Sequence, residues 1–185
     1  MKWLEANKGK INLANAGLGA ASHLCGLLFQ QSLKIDMTTV PYKGTAPAMT
    51  DLLGGQVDIM CDQTTNTTQQ IESGKVKAFA VTTLKPLTTP TLAKLPTLDA
   101  SGLKGFNVSI WHALYAPKGT PKAAQDKINA ALRAALKDPE FIKRQEALGA
   151  VVVTDNRLQP AEHKKFVEAE MNKWGPAIKA AGQYA

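Results

Sequence analysis

Short apolar runs typical of strands alternate with longer helical segments between residues 11 and 83. Glycines at Gly54-Gly55 and Gly74 stand where two of the helices should end. Parallel strands need a crossover connection, and a helix is the usual one, so the alternation predicts a parallel sheet covered by helices. The predicted strands are residues 11–16, 37–42, 57–61 and 76–82, and the predicted helices are residues 20–32, 46–53 and 65–73.

The pattern changes after residue 83. Residues 84–105 are rich in Pro, Thr and Leu without a period, which predicts an ordered crossing segment or a boundary. The last third is mainly helical, and Pro176 is expected to kink or restart its final helix. The predicted elements are strands at 106–115 and 151–153, and helices at 121–137, from Asp138-Pro139 onwards, and at 160–181.

The chain is long and apolar enough to bury a core. It has 185 residues, of which 44% are apolar, enough for one full domain or two small ones. No stretch approaches the ~18 to 20 apolar residues of a membrane span, and the first ten residues lack the apolar core of a secretory signal. We therefore expect either a cytoplasmic protein or one whose true N-terminus is missing.

The charge favours small anions over nucleic acid. Lys and Arg outnumber Asp and Glu by 22 to 15, but the lysines are scattered and no basic run is interleaved with aromatics. We expect no nucleic-acid partner. A diffuse positive field would attract small anions, although a merely soluble basic surface is the alternative.

Two cysteines, Cys25 and Cys61, have neither a CxxC spacing nor a histidine placed to complete a metal site. No metal site is expected. Buried thiols are the default prediction, and a disulfide in an oxidising compartment is the alternative.

A glycine-rich turn follows the first predicted strand. Gly17-Leu18-Gly19-Ala20-Ala21-Ser22 is one residue short of the GxGxxG dinucleotide fingerprint. The fingerprint also needs an acidic residue at the end of the next strand, which here ends in Pro41-Tyr42-Lys43, so we expect no nucleotide cofactor. The first N–H groups of the following helix would suit an anion, and a tight turn with nothing bound is the alternative.

Two further polar turns follow the second and third predicted strands. Lys43, Gly44 and Thr45 form one, and the other begins with Asp62, Gln63 and Thr64. In an open parallel sheet all three turns lie at the carboxyl ends of the strands, where ligands bind. The sequence thus predicts a site for a small anion. The alternatives are a solvated Lys43 and a polar helix cap at residues 64–68.

Catalysis finds little support, and we do not expect an enzyme. His23 and Cys25 are two residues apart on a predicted helix and point to nearly opposite sides, so His23 cannot act as base for Cys25. Ser22 lacks a GxSxG elbow. We expect His23 and His112 to be buried or at a pocket edge, and His163 to be a solvated helix residue.

Five segments carry a resemblance to a known family. They are AGLGAASHL at 16–24, VPYKGTAPAMTDLLGGQVDIMCD at 40–62, SGKVKAFAVTT at 73–83, WHALYAPKGTP at 111–121 and EMNKWGPAIKAAG at 170–182. Together they closely resemble the Bug-type substrate-binding receptors of tripartite tricarboxylate transporters, over essentially the whole chain. The resemblance implies an α/β, type II periplasmic-binding-protein-like fold whose two lobes close like a Venus flytrap. Residues 1–115 would form the second, ligand-binding lobe, and residues 116–185 the C-terminal helical part of the first.

The resemblance also implies a function. The family's receptors are extracytoplasmic, periplasmic solute-binding proteins that capture a small mono- or dicarboxylate for membrane transporter subunits, without a cofactor. A cytoplasmic ligand-sensing effector domain of the same architecture is the alternative. The ligand-binding residues implied by position are Gly17, Leu18, Gly19, Ala20, Ala21, Ser22, His23, Lys43, Gly44, Thr45, Asp62, Gln63 and Thr64.

Two departures from the family pattern affect this expectation. Ala20 stands where the family often has Ser, which removes one hydroxyl donor. Family members also extend well before the start of this chain, so it resembles the second lobe plus part of the first. We therefore expect weak binding by this chain alone and a homodimer formed through the uncovered first-lobe surface.

Overall fold

The fold is built on a three-stranded parallel sheet, seen in a computed structural model that describes residues 2–180 apart from the side chains of Ala177 and Ala180. The central strand is β1 (Asn12–Asn15), flanked by β2 (Thr38–Pro41) and β3 (Ile59–Met60). Both neighbours run parallel to it, with Leu13 opposite Thr39 and Ile59. The parallel sheet predicted for this part of the chain is therefore confirmed.

A helix follows each strand of the sheet, as the alternating pattern predicts. These are α2 (Ala21–Leu33), α3 (Thr45–Leu53) and α4 (Thr64–Glu72), while a short α1 (Lys2–Ala6), which the pattern did not predict, precedes β1. The other helices are α5 (Lys122–Ala135), α6 (Pro139–Ala147), a 3-10 turn (Asn156–Leu158) and α7 (Pro160–Ala180). Helix α7 continues through Pro176 without restarting, and position 181 lies outside the described residues.

The core lies on both faces of β1, because the central strand of a parallel sheet is covered on both sides. On one face Leu13 packs with Ile11 and Ile35, and on the other Ala14 packs with Ala48 and Val57. Gly26 allows α2 to lie close to the sheet, since a Cβ there would come within 2.8 Å of Leu13 Cδ2.

Three predicted strands are absent from the described part of the chain. Residues 76–82 make a single bridge, between Val81 and Thr97, and residues 106–115 and 151–153 form no ladder. Thr82 and Val108 exchange two hydrogen bonds, of 2.8 and 3.0 Å, but no run of paired residues. A ladder needs an adjoining strand, and the described residues provide none here. The crossing segment 84–105 is ordered, as a series of hydrogen-bonded turns.

The C-terminal region (residues 116–180) is packed differently. Helices α5 and α6 contain no buried residue. His163, expected to be solvated, is instead half-buried on α7, with its ring 5.7 Å from Trp111 and 5.9 Å from Tyr115. The domain boundary at residue 115 stays a prediction.

The prediction of two buried thiols is wrong. Cys25 and Cys61 form a disulfide, with their Cα atoms 6.1 Å apart. Cys25 lies on α2, and Cys61 directly follows β3, so the bond ties the helix after one strand to the end of its neighbour.

Candidate functional site

The turns after the three strands adjoin one another at one edge of the sheet. We refer to them as the glycine turn (residues 16–20), the lysine turn (42–44) and the aspartate turn (61–63). Gly44 N–H donates to Ala16 O at 3.0 Å, and Asn66 Nδ2 donates to Thr45 Oγ1 at 3.3 Å. The strand order β2-β1-β3 puts the switch point, where the strand order reverses, between β1 and β3, and this is where ligands bind in open α/β sheets.

The glycine turn requires its glycines. Gly17 has φ +130° and Gly19 has φ +77°, both in the region that side chains disfavour. A Cβ on Gly17 would also lie 3.1 Å from the carbonyl oxygen of Tyr42. The turn is closed by Ala20 N–H, which donates to Gly17 O at 3.1 Å. This geometry brings the backbone from β1 into α2 within a few residues.

Several backbone N–H groups in this turn and at the start of α2 have no protein acceptor. Within residues 2–180, the backbone N–H groups of Leu18, Ala21 and Ser22 have no hydrogen-bond partner, and α2 lacks a side-chain cap. Such groups at a helix N-terminus carry partial positive charge. Ser22 Oγ is buried and accepts from Ala16 N–H at 2.9 Å, so its hydroxyl supports the turn while keeping its own proton.

Two buried side chains add donors to this set. Asn15 Oδ1 accepts from Gly17 N–H at 2.9 Å, and His23 Nδ1 accepts from Gly19 N–H at 3.2 Å. These bonds fix the Asn15 amide orientation and place the proton of the neutral His23 ring on Nε2. Asn15 Nδ2 and His23 Nε2 then have no partner in the described chain, although the residues are only 1% and 2% exposed.

An orphaned buried donor costs about 1–3 kcal/mol unless something accepts from it. The glycine turn and the start of α2 therefore present several donors that lack an acceptor. His23 is buried, as expected. Asn15 was missed from the sequence, where an asparagine at the end of a strand is typical of a turn. The neighbouring glycine turn was the only signal that could have indicated it.

The aspartate turn contains an acid, Asp62. Asn66 Nδ2 donates to Asp62 Oδ2 at 3.3 Å. Burial raises the pKa of the Asp62 carboxyl above its usual value, while hydrogen bonds from the Gln63 backbone and from Asn66 act in the opposite direction. Thr64 Oγ1 donates to Gly149 O at 3.0 Å, so the hydroxyl of this predicted site residue is committed to the C-terminal region.

The lysine turn supplies the one cation among the predicted site residues. Lys43 is exposed and forms no ion pair within the described chain. The preceding Tyr42 is held by a hydrogen bond of 2.7 Å from its hydroxyl to Asp51 Oδ2, which raises the pKa of Tyr42. Lys43 could therefore meet a ligand or remain solvated, as the sequence left open.

A groove of about 1430 Å³ lies between the sheet edge and the C-terminal region. One side of the groove is lined by part of α2 and by the aspartate turn. The other side is lined by residues such as Trp111 and Val151. Of the predicted site residues, Ala21, Ser22, Asp62, Gln63 and Thr64 line the groove, whereas Gly17, Leu18, Gly19, Ala20, His23, Lys43, Gly44 and Thr45 lie outside its lining.

Other chemistry is not supported by the described residues. Cys25 is oxidised, so it cannot serve as a nucleophile beside His23. Residues 2–180 contain no cluster of three metal-ligating side chains. In the same part of the chain, every helix is too short or too polar to cross a bilayer.

Solved periplasmic binding proteins share this arrangement of a parallel sheet and helices. The structure of the periplasmic binding protein BugD matches 98% of this chain, with a TM-score of 0.90 and 55% identity, and the match covers 60% of BugD. MatC from Rhodopseudomonas palustris, solved with bound malate, matches 96% of the chain at a TM-score of 0.88 and 36% identity, over 60% of MatC. The α/β periplasmic-binding-protein fold is confirmed.

The family follows from the sequence comparison. A model described as "Tripartite tricarboxylate transporter family receptor" matches residues 1–183, and the chain belongs to this family of receptors, which are not enzymes. A UPF0065 protein of Agrobacterium vitis is 46% identical over 180 residues, which are 97% of this chain and 51% of that protein. The chain spans about half the length of the curated relatives it matches.

Proposed function

We propose that this chain supplies the anion-binding lobe of a periplasmic receptor, which captures a small mono- or dicarboxylate for a tripartite transporter. The observation that carries the proposal is the pair of buried, unpartnered donors, Asn15 Nδ2 and His23 Nε2, beside the open N–H groups of α2. A carboxylate brings only acceptors, and its charge matches the positive end of the helix. MatC, a relative, holds malate.

Different residues would contact the carboxylate and set the electrostatic potential around it. The N–H groups of Leu18, Ala21 and Ser22, with the two buried donors, would hold one carboxylate, while Lys43 and the first turn of α3 would add positive potential. An ionised Asp62 would repel a second negative charge close by, and burial reduces the solvent screening between the two charges. The remaining ligand contacts implied by position are Gly17, Gly19, Ala20, Gly44, Thr45, Gln63 and Thr64.

The affinity expected for this chain alone is low. A helix N-terminus contributes about 0.3–1 kcal/mol to holding an anion, and at most about 2 kcal/mol when partly buried. Micromolar binding needs about 8 kcal/mol, more than three such turns provide together. The rest of the binding free energy would come from an opposite lobe, which the additional length of the relatives would provide.

The disulfide favours the periplasm over the cytoplasmic effector-domain alternative. Disulfides persist in oxidising compartments and are rare in the cytosol, and Cys25 and Cys61 are bonded here. When cells are fractionated with free thiols alkylated during lysis, mass spectrometry should find the protein in the periplasmic fraction with neither cysteine labelled. Protein in the cytoplasmic fraction with both cysteines labelled would favour the cytoplasmic alternative.

The partner surface follows from exposed apolar residues around the groove. Leu114, Tyr115 and Val151 are 62%, 68% and 80% exposed, and large exposed apolar patches mark interaction sites. We propose that a second copy covers them when the chain is alone. Light scattering should show a dimer, and a stable, compact monomer at high concentration would contradict this.

Calorimetric titration tests the anion site. Malate and dicarboxylates of other lengths should release or absorb heat, and the matched diamides, which carry no charge, should not. Asn15→Asp keeps an oxygen for Gly17 N–H but replaces the orphaned donor with a negative group, so binding should be lost. Asn172→Ala, at an exposed position of α7, is the matched control. Equal binding of malate and its diamide, or unchanged binding by Asn15→Asp, would refute the proposal.

A further inference from the structure

Three threonine side chains hold the carboxyl end of helix α6. Thr64 Oγ1 donates to Gly149 O at 3.0 Å and Thr89 Oγ1 to Glu146 O at 3.0 Å, while the single hydroxyl proton of Thr68 is shared between Leu148 O at 3.1 Å and Thr64 O, within α4, at 2.8 Å. The last carbonyl groups of a helix lack intrahelical partners. Here Thr89 adds a bond to Glu146 O, which also accepts from Gly149 N–H at 2.9 Å, and the two threonines of α4 bond to the carbonyl groups of Leu148 and Gly149, just after the helix. We call this contact the threonine joint.

The residues of the threonine joint are closely packed and mostly buried. Thr68, Thr89 and Gly149 are buried, although α6 itself buries no residue. Gly149 has φ +77°, and a Cβ there would lie 2.8 Å from Leu92 Cδ1 and 2.9 Å from Thr64 Cβ. Only glycine allows the chain after α6 to come this near to α4. The joint is therefore a built contact between the C-terminal region and the helix that follows β3.

The joint shares a residue with the candidate site. Thr64 begins α4 and lines the groove, directly after the aspartate turn. Two residues further on, Asn66 donates both to Asp62 and to Thr45, and so links the aspartate turn to the first residue of α3. A displacement of Thr64 would therefore move the aspartate turn and its contact with α3.

We propose that the threonine joint couples the anion site to the position of α6, with Thr64 as the shared residue and Thr68 and Thr89 as positioning residues. Docking of α6 fixes the first turn of α4, and thereby the aspartate turn. By linkage, an anion bound beside this turn strengthens the docking to the same degree as the docking strengthens anion binding. The anion half of this coupling rests on the proposed function.

Hydrogen exchange of the ligand-free chain tests the coupling without an anion. Thr89→Val keeps the shape of the side chain and removes the hydroxyl that donates to Glu146 O without altering a bond of α4, so amide exchange should speed up about tenfold at residues 146–150 and also at residues 61–66. Thr89→Ser keeps the hydroxyl and should restore the wild-type rates. Amides of β1 should not change, which separates the effect from global unfolding. Faster exchange at 146–150 with unchanged rates at 61–66 would overturn the coupling.

Gly149→Ala gives a second, independent variant. Gly105 is the matched control, because its φ of +79° is nearly the same and a Cβ there would meet nothing within 4 Å. Gly149→Ala should speed exchange at residues 61–66, and Gly105→Ala should not. If both variants act alike, backbone strain rather than the joint is responsible and the proposal fails.

Malate then separates the two proposals. In the wild type, saturating malate should slow exchange at residues 146–150, and Thr89→Val should weaken malate binding severalfold. Coupled exchange in the ligand-free chain without any malate binding would retain the joint and refute the proposed function for this anion. Malate binding that leaves exchange at residues 146–150 unchanged would support the proposed function and refute the coupling.

Discussion

Strand β1 and helix α5 use their apolar residues in opposite ways. In β1 and the residue before it, Ile11, Leu13 and Ala14 are at most 3% exposed, with packed neighbours on both faces of the sheet. Along α5, Ala124, Ile128, Leu132 and Ala135 form one apolar stripe, yet none of them is buried and Ile128 is 48% exposed. Periodicity identifies which face of a helix is apolar, but a core needs a partner for that face.

The largest expected effect is on the core of β1. Leu13→Ala removes a side chain that is buried against its neighbours, which should lower the free energy of unfolding by about 2–5 kcal/mol. Ile128→Ala, on α5, should stay within about 0.5 kcal/mol because its side chain is half exposed. Urea unfolding of both variants measures the difference. Similar losses would show that the C-terminal region is packed as well as the sheet.

The disulfide should stabilise the sheet region by nearly as much. It closes a loop of 36 residues, for which the chain-entropy model gives on the order of 3–4 kcal/mol. Unfolding with and without a reductant measures this, and a Cys25→Ala, Cys61→Ala double variant, which should not respond to reductant, is the control. An unchanged midpoint on reduction of the wild type would contradict the expectation.

Two helical glycines sharpen the comparison between the regions. Gly26→Ala would place a methyl group 2.8 Å from Leu13 Cδ2, whereas Gly175→Ala, in α7, would meet nothing within 4 Å. Both variants gain the same helix propensity, so their difference reports overpacking, which costs about 1–3 kcal/mol. Thermal unfolding should therefore rank Gly175→Ala above Gly26→Ala. The reverse order would mean that α2 has room against β1.

The smallest effect is the pH dependence from Asp62. Because burial raises its pKa in the folded state above the ordinary 3.8, the folded chain binds more protons than the unfolded chain just above that pH. The contribution of Asp62 to stability should thus fall as pH rises through this window. Asp62→Asn should remove this slope in unfolding midpoints taken from pH 3 upwards. A wild-type slope that survives the substitution would exclude Asp62 as its source.

The three strand–helix units could be predicted from sequence because each depends on local signals. Alternating apolar runs and the glycines near residues 17, 54 and 74 act within a few positions. Their order along the chain also predicted that the three turns share an edge of the sheet, as the hydrogen bond from Gly44 to Ala16 bears out.

The features that could not be predicted from the sequence depend on residues that are far apart along the chain. The disulfide joins positions 36 residues apart, and Thr64 bonds to Gly149 across 85 residues. The orphaned donor of Asn15 exists only because folding buries its amide. Residues 76–82 have a strand-like pattern, but that pattern carries no information about whether a neighbouring strand is there to pair with.

Nuclear magnetic resonance of the labelled chain during a malate titration locates the anion directly. We expect the largest shifts at the backbone amides of Leu18, Ala21 and Ser22 and at the side-chain donors of Asn15 and His23, with the amides of α5 unchanged. If malate shifts none of these signals, or shifts only those of the C-terminal region, the glycine turn is not an anion site.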